Sequence, residues 1–214
     1  MTDQPLNRVD GAPLRDLQRR RKLVLLLGIA LAIAPLVVTE SSWRGTAPGV
    51  HWLIAVVGLI LIVLCILGRT WCTLYIGGHK KRRLVVYGPY SVVRNPLYDF
   101  TIVGAAGIGA LSGSILVAVL FAAFAFAVFL HVVRQEEAFL AAQFGAEFAA
   151  YAARVGRFWP RISRWQEPDE LIVNPRLVRR TFLDASLFLL AVPLMALKDL
   201  LQQLGAVPVL LHLP

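Results

Sequence analysis

Two stretches of this chain hold residues whose types and spacing suit chemistry. The first, residues 85–100, reads VVYGPYSVVRNPLYDF. Gly88-Pro89 marks a turn ahead of Tyr90. Asn95-Pro96 reads as a helix start, with Asn at the N-cap and Pro in the first helical position, followed by Leu97 and Tyr98 in the first turn. Arg94 lies directly before that start, and a helix N-terminus beside a guanidinium suits an anionic group such as a carboxylate. The second stretch, residues 134–160, opens with the acid pair Glu136-Glu137 where an apolar run meets polar sequence. A break at Phe144-Gly145 follows, then Phe148, Tyr151 and Val155 at helical spacing, and Pro160 ends the run. Glu136 or Glu137 can accept hydrogen bonds from a cationic or hydroxyl group. Tyr90, Tyr98, Phe148 and Tyr151 offer ring faces to a cation or to another aromatic ring. Each stretch also has an ordinary reading: a capped membrane helix with a flanking arginine, and an amphipathic interfacial helix with a solvated acid pair.

Taken in order, the two stretches resemble the isoprenylcysteine carboxyl methyltransferase and phospholipid methyltransferase superfamily of integral-membrane enzymes. The shared pattern is GPY-x-x-x-RHP-x-Y, a membrane hairpin, then EE-x-x-L-x-x-x-FG-x-x-Y-x-x-Y ending in proline. Here it is carried by Gly88-Pro89-Tyr90, Arg94-Asn95-Pro96-Leu97-Tyr98, Glu136-Glu137, Leu140, Phe144-Gly145, Phe148, Tyr151 and Pro160, within residues 69–160. Asn95 stands where the family usually has histidine, and Phe148 where it usually has tyrosine. The resemblance implies S-adenosylmethionine as cofactor, with Tyr90, Arg94, Asn95, Pro96, Leu97, Tyr98, Glu136, Glu137 and Tyr151 as its contacts. It also implies a lipophilic methyl acceptor: an isoprenylcysteine-type carboxylate, a phospholipid amine or another small lipophilic group.

Methyl transfer is an in-line displacement that asks mainly for alignment and exclusion of water, so no catalytic base is assigned. His131, near the end of its apolar run, is a weak candidate for orienting an acceptor, and a structural histidine is the more ordinary reading. Two other functions compete. Sterol and steroid reductases carry a distantly similar R-x-P-x-Y-like element and use NADPH. A non-catalytic lipid- or partner-binding protein of the same fold is the third, kept open by Asn95.

Elements that position these residues must lie in a membrane. The chain has 214 residues, 57% of them hydrophobic and 16% charged, with a mean hydropathy of +0.66. Its net charge of +9 clusters at the ends of apolar runs as membrane topology requires, which speaks against nucleic-acid binding. Cys65 and Cys72 form no CxxC, and His51, His79, His131 and His212 have no metal-ligand spacing, so no metal site is expected. No Gly-rich Rossmann fingerprint is present.

The expected fold is all-α, a polytopic bundle of about five transmembrane helices with interfacial helices on the cytoplasmic side. Residues 1–22 form a basic cytoplasmic tail. Residues 23–165 form the methyltransferase-like core, with spans at 23–39 and 49–68, the latter extending toward Ile76. A hairpin of helices at 96–111 and 115–133 turns at Ser112-Gly113-Ser114, and its Gly104 and Gly107 predict close helix packing. Residues 166–214 are a connector and an extra span at 181–197, ending in an apolar interfacial tail. Residues 181–214 lie beyond the resemblance and are expected to be dispensable for cofactor binding. Arginine and lysine fall almost wholly on one side, with Arg44 and Lys198 on the other, so the N-terminus is cytoplasmic and the C-terminus outside. Arginine far outnumbers lysine and alanine is abundant, which suggests a GC-rich bacterial genome and, with the apolar spans, a bacterial inner membrane.

Overall fold

The computed structural model describes residues 36–76 and 83–214. The expected basic tail, most of the first expected span and residues 79–82 of the basic connector therefore lie outside the described residues. What is described is an all-α membrane bundle with one minimal strand pair. Helix α1, Pro48–Ile76, has 29 residues, about 44 Å of helix. That exceeds the ~30 Å of bilayer hydrocarbon, so the helix carries Arg69, Trp71 and Tyr75 past the apolar layer. Its outward residues Trp52, Leu53, Ile60 and Leu67 are exposed, whereas Gly58, Ile62, Cys65, Ile66 and Cys72 are buried. This pattern is reversed from that of a soluble helix only in what the solvent is: lipid accepts the apolar face.

Helix α2, Pro96–Ala110, has 15 residues, about 22 Å, too short to cross alone. It lies along α1 through a glycine seam. A Cβ on Gly58 would come 2.7 Å from the Gly107 carbonyl oxygen, a Cβ on Gly107 would come 2.7 Å from that of Gly58, and one on Gly104 would come 2.6 Å from Cys65 Sγ. The small residues are thus there to let two backbones touch.

After the turn at Ser112–Ser114, Ser114 caps helix α3, Ile115–Phe144, its hydroxyl accepting from Val117 N at 3.2 Å. The sequence predicts a helix over 115–133; the helix instead runs on for 30 residues. Nothing between His131 and Phe144 breaks it, since the acid pair and its neighbours are good helix formers. Glu136 therefore sits about 32 Å up the helix from Ile115, at the depth where the hydrocarbon ends. Gly145, at φ +51°, supplies the left-handed residue that ends α3 and turns the chain into α4, Ala146–Arg154. Phe148, Tyr151 and Val155 form one buried cluster there, packed against Leu84, Val86, Leu140 and Phe144.

The C-terminal apolar segment Pro175–Gln203 is long and apolar enough to span. It is two helices, α5 (Pro175–Ser186) and α6 (Ala191–Gln203), joined by a 3-10 turn at Leu187–Leu190. Pro193 explains the change of pitch, because it cannot donate to the carbonyl four residues back and its ring crowds that turn. Ala185 and Ala191 are buried with Ile62 and Ile66 of α1, with Ile108, Leu111 and Phe188 packed around them. Gln166 joins the Gly88 turn, as described below. The segment that the motif leaves out is thus built into the bundle.

The apolar tail differs from expectation as well. Strand β2, Leu211–Leu213, pairs in parallel with strand β1, Thr39–Ser41, in the register Thr39↔Leu211, Glu40↔His212 and Ser41↔Leu213. An extended tail beside a bilayer needs partners for its backbone groups, and β1 supplies them. The same end of the bundle gathers Arg44, Glu40, Lys198 and Asp199: Arg44 bonds both acids, and Lys198 Nζ donates to the Thr39 carbonyl at 3.0 Å. The two cations expected on the far side are therefore neighbours in one charge network.

Candidate functional site

The site lies at the opposite end, where the N-terminus of α2, the end of α3 and the chain after α4 meet. The Gly88-Pro89-Tyr90 turn is held from three directions. Ser91 Oγ donates to the Gly88 carbonyl at 2.6 Å. Gly88 N donates to the Gln166 carbonyl at 2.7 Å, and Gln166 N donates to Ser91 Oγ at 3.0 Å. Tyr151 Oη donates to the Tyr90 carbonyl at 2.7 Å, which ties α4 to the turn. Burial pushes the Tyr151 phenol above its ordinary range, as it does that of Tyr90. Tyr151 is thus a neutral donor committed to the backbone, whereas the buried Tyr90 hydroxyl has no partner among the described residues.

Asn95 occupies the N-cap of α2, and Pro96 begins the helix, as the sequence predicts. The Asn95 side chain does not cap. It turns to α3, where Nδ2 donates to Glu137 Oε1 at 3.3 Å and to the Arg157 carbonyl at 3.2 Å. Glu137 is the centre of the cluster. Its Oε2 accepts from Arg157 Nε at 2.9 Å and Nη2 at 2.7 Å. Its Oε1 lies 3.3 Å from Arg94 Nε, an ion pair by distance without hydrogen-bond alignment. The Glu137 side chain is only 11% exposed, so two guanidiniums and an amide replace its water. Arg94 is fixed further by Nη1 donating to the Ala152 carbonyl at 3.3 Å and by its N–H on the Gly156 carbonyl at 2.8 Å. Glu136, one residue earlier on α3, faces out and accepts from Tyr98 Oη at 2.9 Å. The Tyr98 ring packs on Phe129 with centroids 4.9 Å apart.

These contacts join residues forty positions apart: 94–98 on one side, 136–137 on the other. A family model described as phospholipid methyltransferase matches residues 49–147, which takes in both. The chain is 38% identical over 174 residues to the "Cobalt-zinc-cadmium resistance protein CzcN" of Cupriavidus metallidurans, covering 81% of this chain and 79% of that protein. The chain belongs to the phospholipid methyltransferase family. A second relative, the "Nickel-cobalt-cadmium resistance protein NccN" of Alcaligenes xylosoxydans xylosoxydans, is 35% identical over 177 residues, with 81% and 80% covered. No solved structure matches the chain.

The family match stops before Tyr151 and Arg157, yet both belong to the cluster's architecture. In the sequence Arg157 does not stand out from the basic residues around the end of α4, because spacing does not separate it from Arg154, which is exposed. The signal available was indirect: an acid on the buried face of a helix end needs cations to face it. His131 is not brought to the cluster. It is exposed on α3, with its ring Nε2 3.0 Å from Gln135 Nε2 one turn on. Leu97 packs with Tyr75, Tyr90 and Val85 in the neighbouring core rather than on the acid pair.

Proposed function

We propose that this chain is an integral-membrane methyltransferase that uses S-adenosylmethionine and acts on a lipophilic acceptor. The observation that carries the reading is the cluster of Arg94, Asn95, Glu137 and Arg157, with Glu136–Tyr98 beside it, on a phospholipid methyltransferase scaffold. The residues fit such a ligand. Arg94 and Arg157 suit its carboxylate, Glu136 suits its ammonium or ribose, and the unpartnered Tyr90 hydroxyl is a buried donor without an acceptor. When bound, the cofactor supplies an electrophilic methyl group on a sulfonium. The protein's part is then to fix the ligand's charged end, to line the reacting region with rings and to keep water out. Glu137 acts here as a positioning residue, since its own charge is already met by two arginines.

The acceptor enters, in this reading, from the bilayer between helices, whereas the cofactor enters from the aqueous side. The site end faces the cytoplasm and the β1–β2 end faces outward. The names of the two relatives concern resistance to cobalt, zinc, cadmium and nickel. Single cysteines at Ser42 and Leu213 are expected to label from outside and one at Gln166 from inside; labelling of Gln166 and Ser42 from one side contradicts the arrangement.

The choice between methyltransferase and NADPH-dependent reductase is tested by thermal unfolding in detergent. S-adenosylhomocysteine at about a hundred times its Kd is expected to stabilise the protein by about 2.7 kcal/mol, and NADPH to leave the midpoint unchanged. A shift with NADPH alone overturns the proposal.

A further inference from the structure

We propose that a second ligand site, separate from the Arg94–Glu137 cluster, binds a phosphate-class oxyanion at headgroup depth. It is a cavity of about 350 Å³ lined by Ser91, Tyr151, Arg154, Ser163, Arg164 and Gln166, with Val86 and Val155 as its apolar floor. No acid lines it. Among the described residues, Arg164 Nη1 is buried with no partner and neither Arg154 nor Arg164 is paired with a carboxylate. A buried guanidinium N–H without an acceptor is costly, and a cavity beside it that holds a second arginine and a serine is the place an acceptor would sit.

The walls are built rather than incidental. Arg161 N donates to the Val92 carbonyl at 3.0 Å and Arg164 N to the Arg161 carbonyl at 3.0 Å, while Gln166 is pinned to Ser91 and Gly88. The nearby acid Glu167 is engaged elsewhere, at 3.4 Å from both Tyr75 Oη and Trp165 Nε1. The two sites share a wall: Tyr151 lines the cavity, but its hydroxyl is committed to the Tyr90 carbonyl, and none of Arg94, Asn95, Glu136, Glu137 or Arg157 contributes to the lining. The two guanidiniums of the cavity face no carboxylate among the described residues, whereas those of the cluster share Glu137. The lining loop also carries exposed Trp159 and Ile162 and the Trp165 ring stacked on Trp71. Aromatic residues of this kind sit among lipid headgroups, which brings the cavity to the level of lipid phosphates.

The test uses the full chain in neutral detergent, titrated with short-chain phosphatidylglycerol and, separately, with inorganic phosphate, against chloride at equal ionic strength. Thermal unfolding reads out binding. A saturable rise in midpoint is expected, weakened about tenfold or more in Arg164→Ala and in Arg154→Ala and partly restored in Arg164→Lys. Response to the lipid alone assigns the headgroup as the source; equal response to phosphate assigns the free anion. Arg154 is exposed, so Arg154→Ala keeps the test valid if Arg164→Ala does not fold. The proposal is overturned if neither probe exceeds chloride or if the variants respond as wild type does. It is equally overturned if they lose S-adenosylhomocysteine binding in parallel, since the cavity would then be part of the cofactor site. This proposal does not depend on the methyltransferase reading.

Discussion

Glu137→Ala is expected to lower the unfolding midpoint by about 6–12 °C, the counterpart of about 3 kcal/mol in a chain of this size. The substitution removes the carboxylate between Arg94 and Arg157 and takes an acceptor from Asn95. Arg94 is left with its side chain 13% exposed, and a buried charge without its partner typically costs about 3–5 kcal/mol. The low end applies because Arg157 is 37% exposed and regains water. Glu137→Gln keeps the shape and one acceptor, so its loss is smaller. Glu136→Ala, which removes only an exposed contact to Tyr98, is expected to shift the midpoint little. An unchanged midpoint in Glu137→Ala would mean that the cluster is not a folded-state ion network.

The second large effect is at the glycine seam. Gly107→Val puts a Cβ 2.7 Å from the Gly58 carbonyl oxygen and 2.9 Å from Ile62 Cγ1. The first neighbour is backbone and cannot rotate away, so α1 and α2 must part. Overpacking of this kind costs about 1–3 kcal/mol, and the upper end is expected here. Because α2 begins at the cluster, its displacement moves Asn95 and Tyr98 away from α3. Gly49→Ala, with nothing within 4 Å of the added Cβ, is the control. Equal midpoints for the two variants would show that the seam is not in close contact.

The signals that survived from sequence to structure were those written in local chemistry. Asn95-Pro96 starts α2, Gly145 ends α3, and Phe148, Tyr151 and Val155 share one face, because caps, left-handed turns and helical periods need no knowledge of tertiary contacts. The motif also joined 94–98 to 136–137, which no local rule would have done. Which acid faces inward was not legible: Glu136 and Glu137 are adjacent, and the choice depends on the rotation of α3 against α2. Asn95 read as a cap, and its residue type gives no hint that the amide would be turned to Glu137. Arg157 was hidden for the opposite reason, being one arginine among many. The β1–β2 pairing was out of reach, since three-residue strands carry no period to read. The 3-10 turn before Pro193 was legible in principle but masked by an unbroken apolar run.

The proposed function places S-adenosylmethionine in the Arg94 cluster. Arg94→Ala tests it most directly, because Glu137 keeps Arg157 and Asn95 as partners and the fold is retained. Titration of purified wild type and Arg94→Ala with S-adenosylhomocysteine, with monodispersity as the folding check, is expected to show a loss of about 1.5–3 kcal/mol, about ten- to a hundredfold in Kd. Arg176→Ala, exposed at the start of α5, is expected to match wild type. Equal affinity in Arg94→Ala and wild type would contradict the cofactor assignment, and the methyltransferase reading with it.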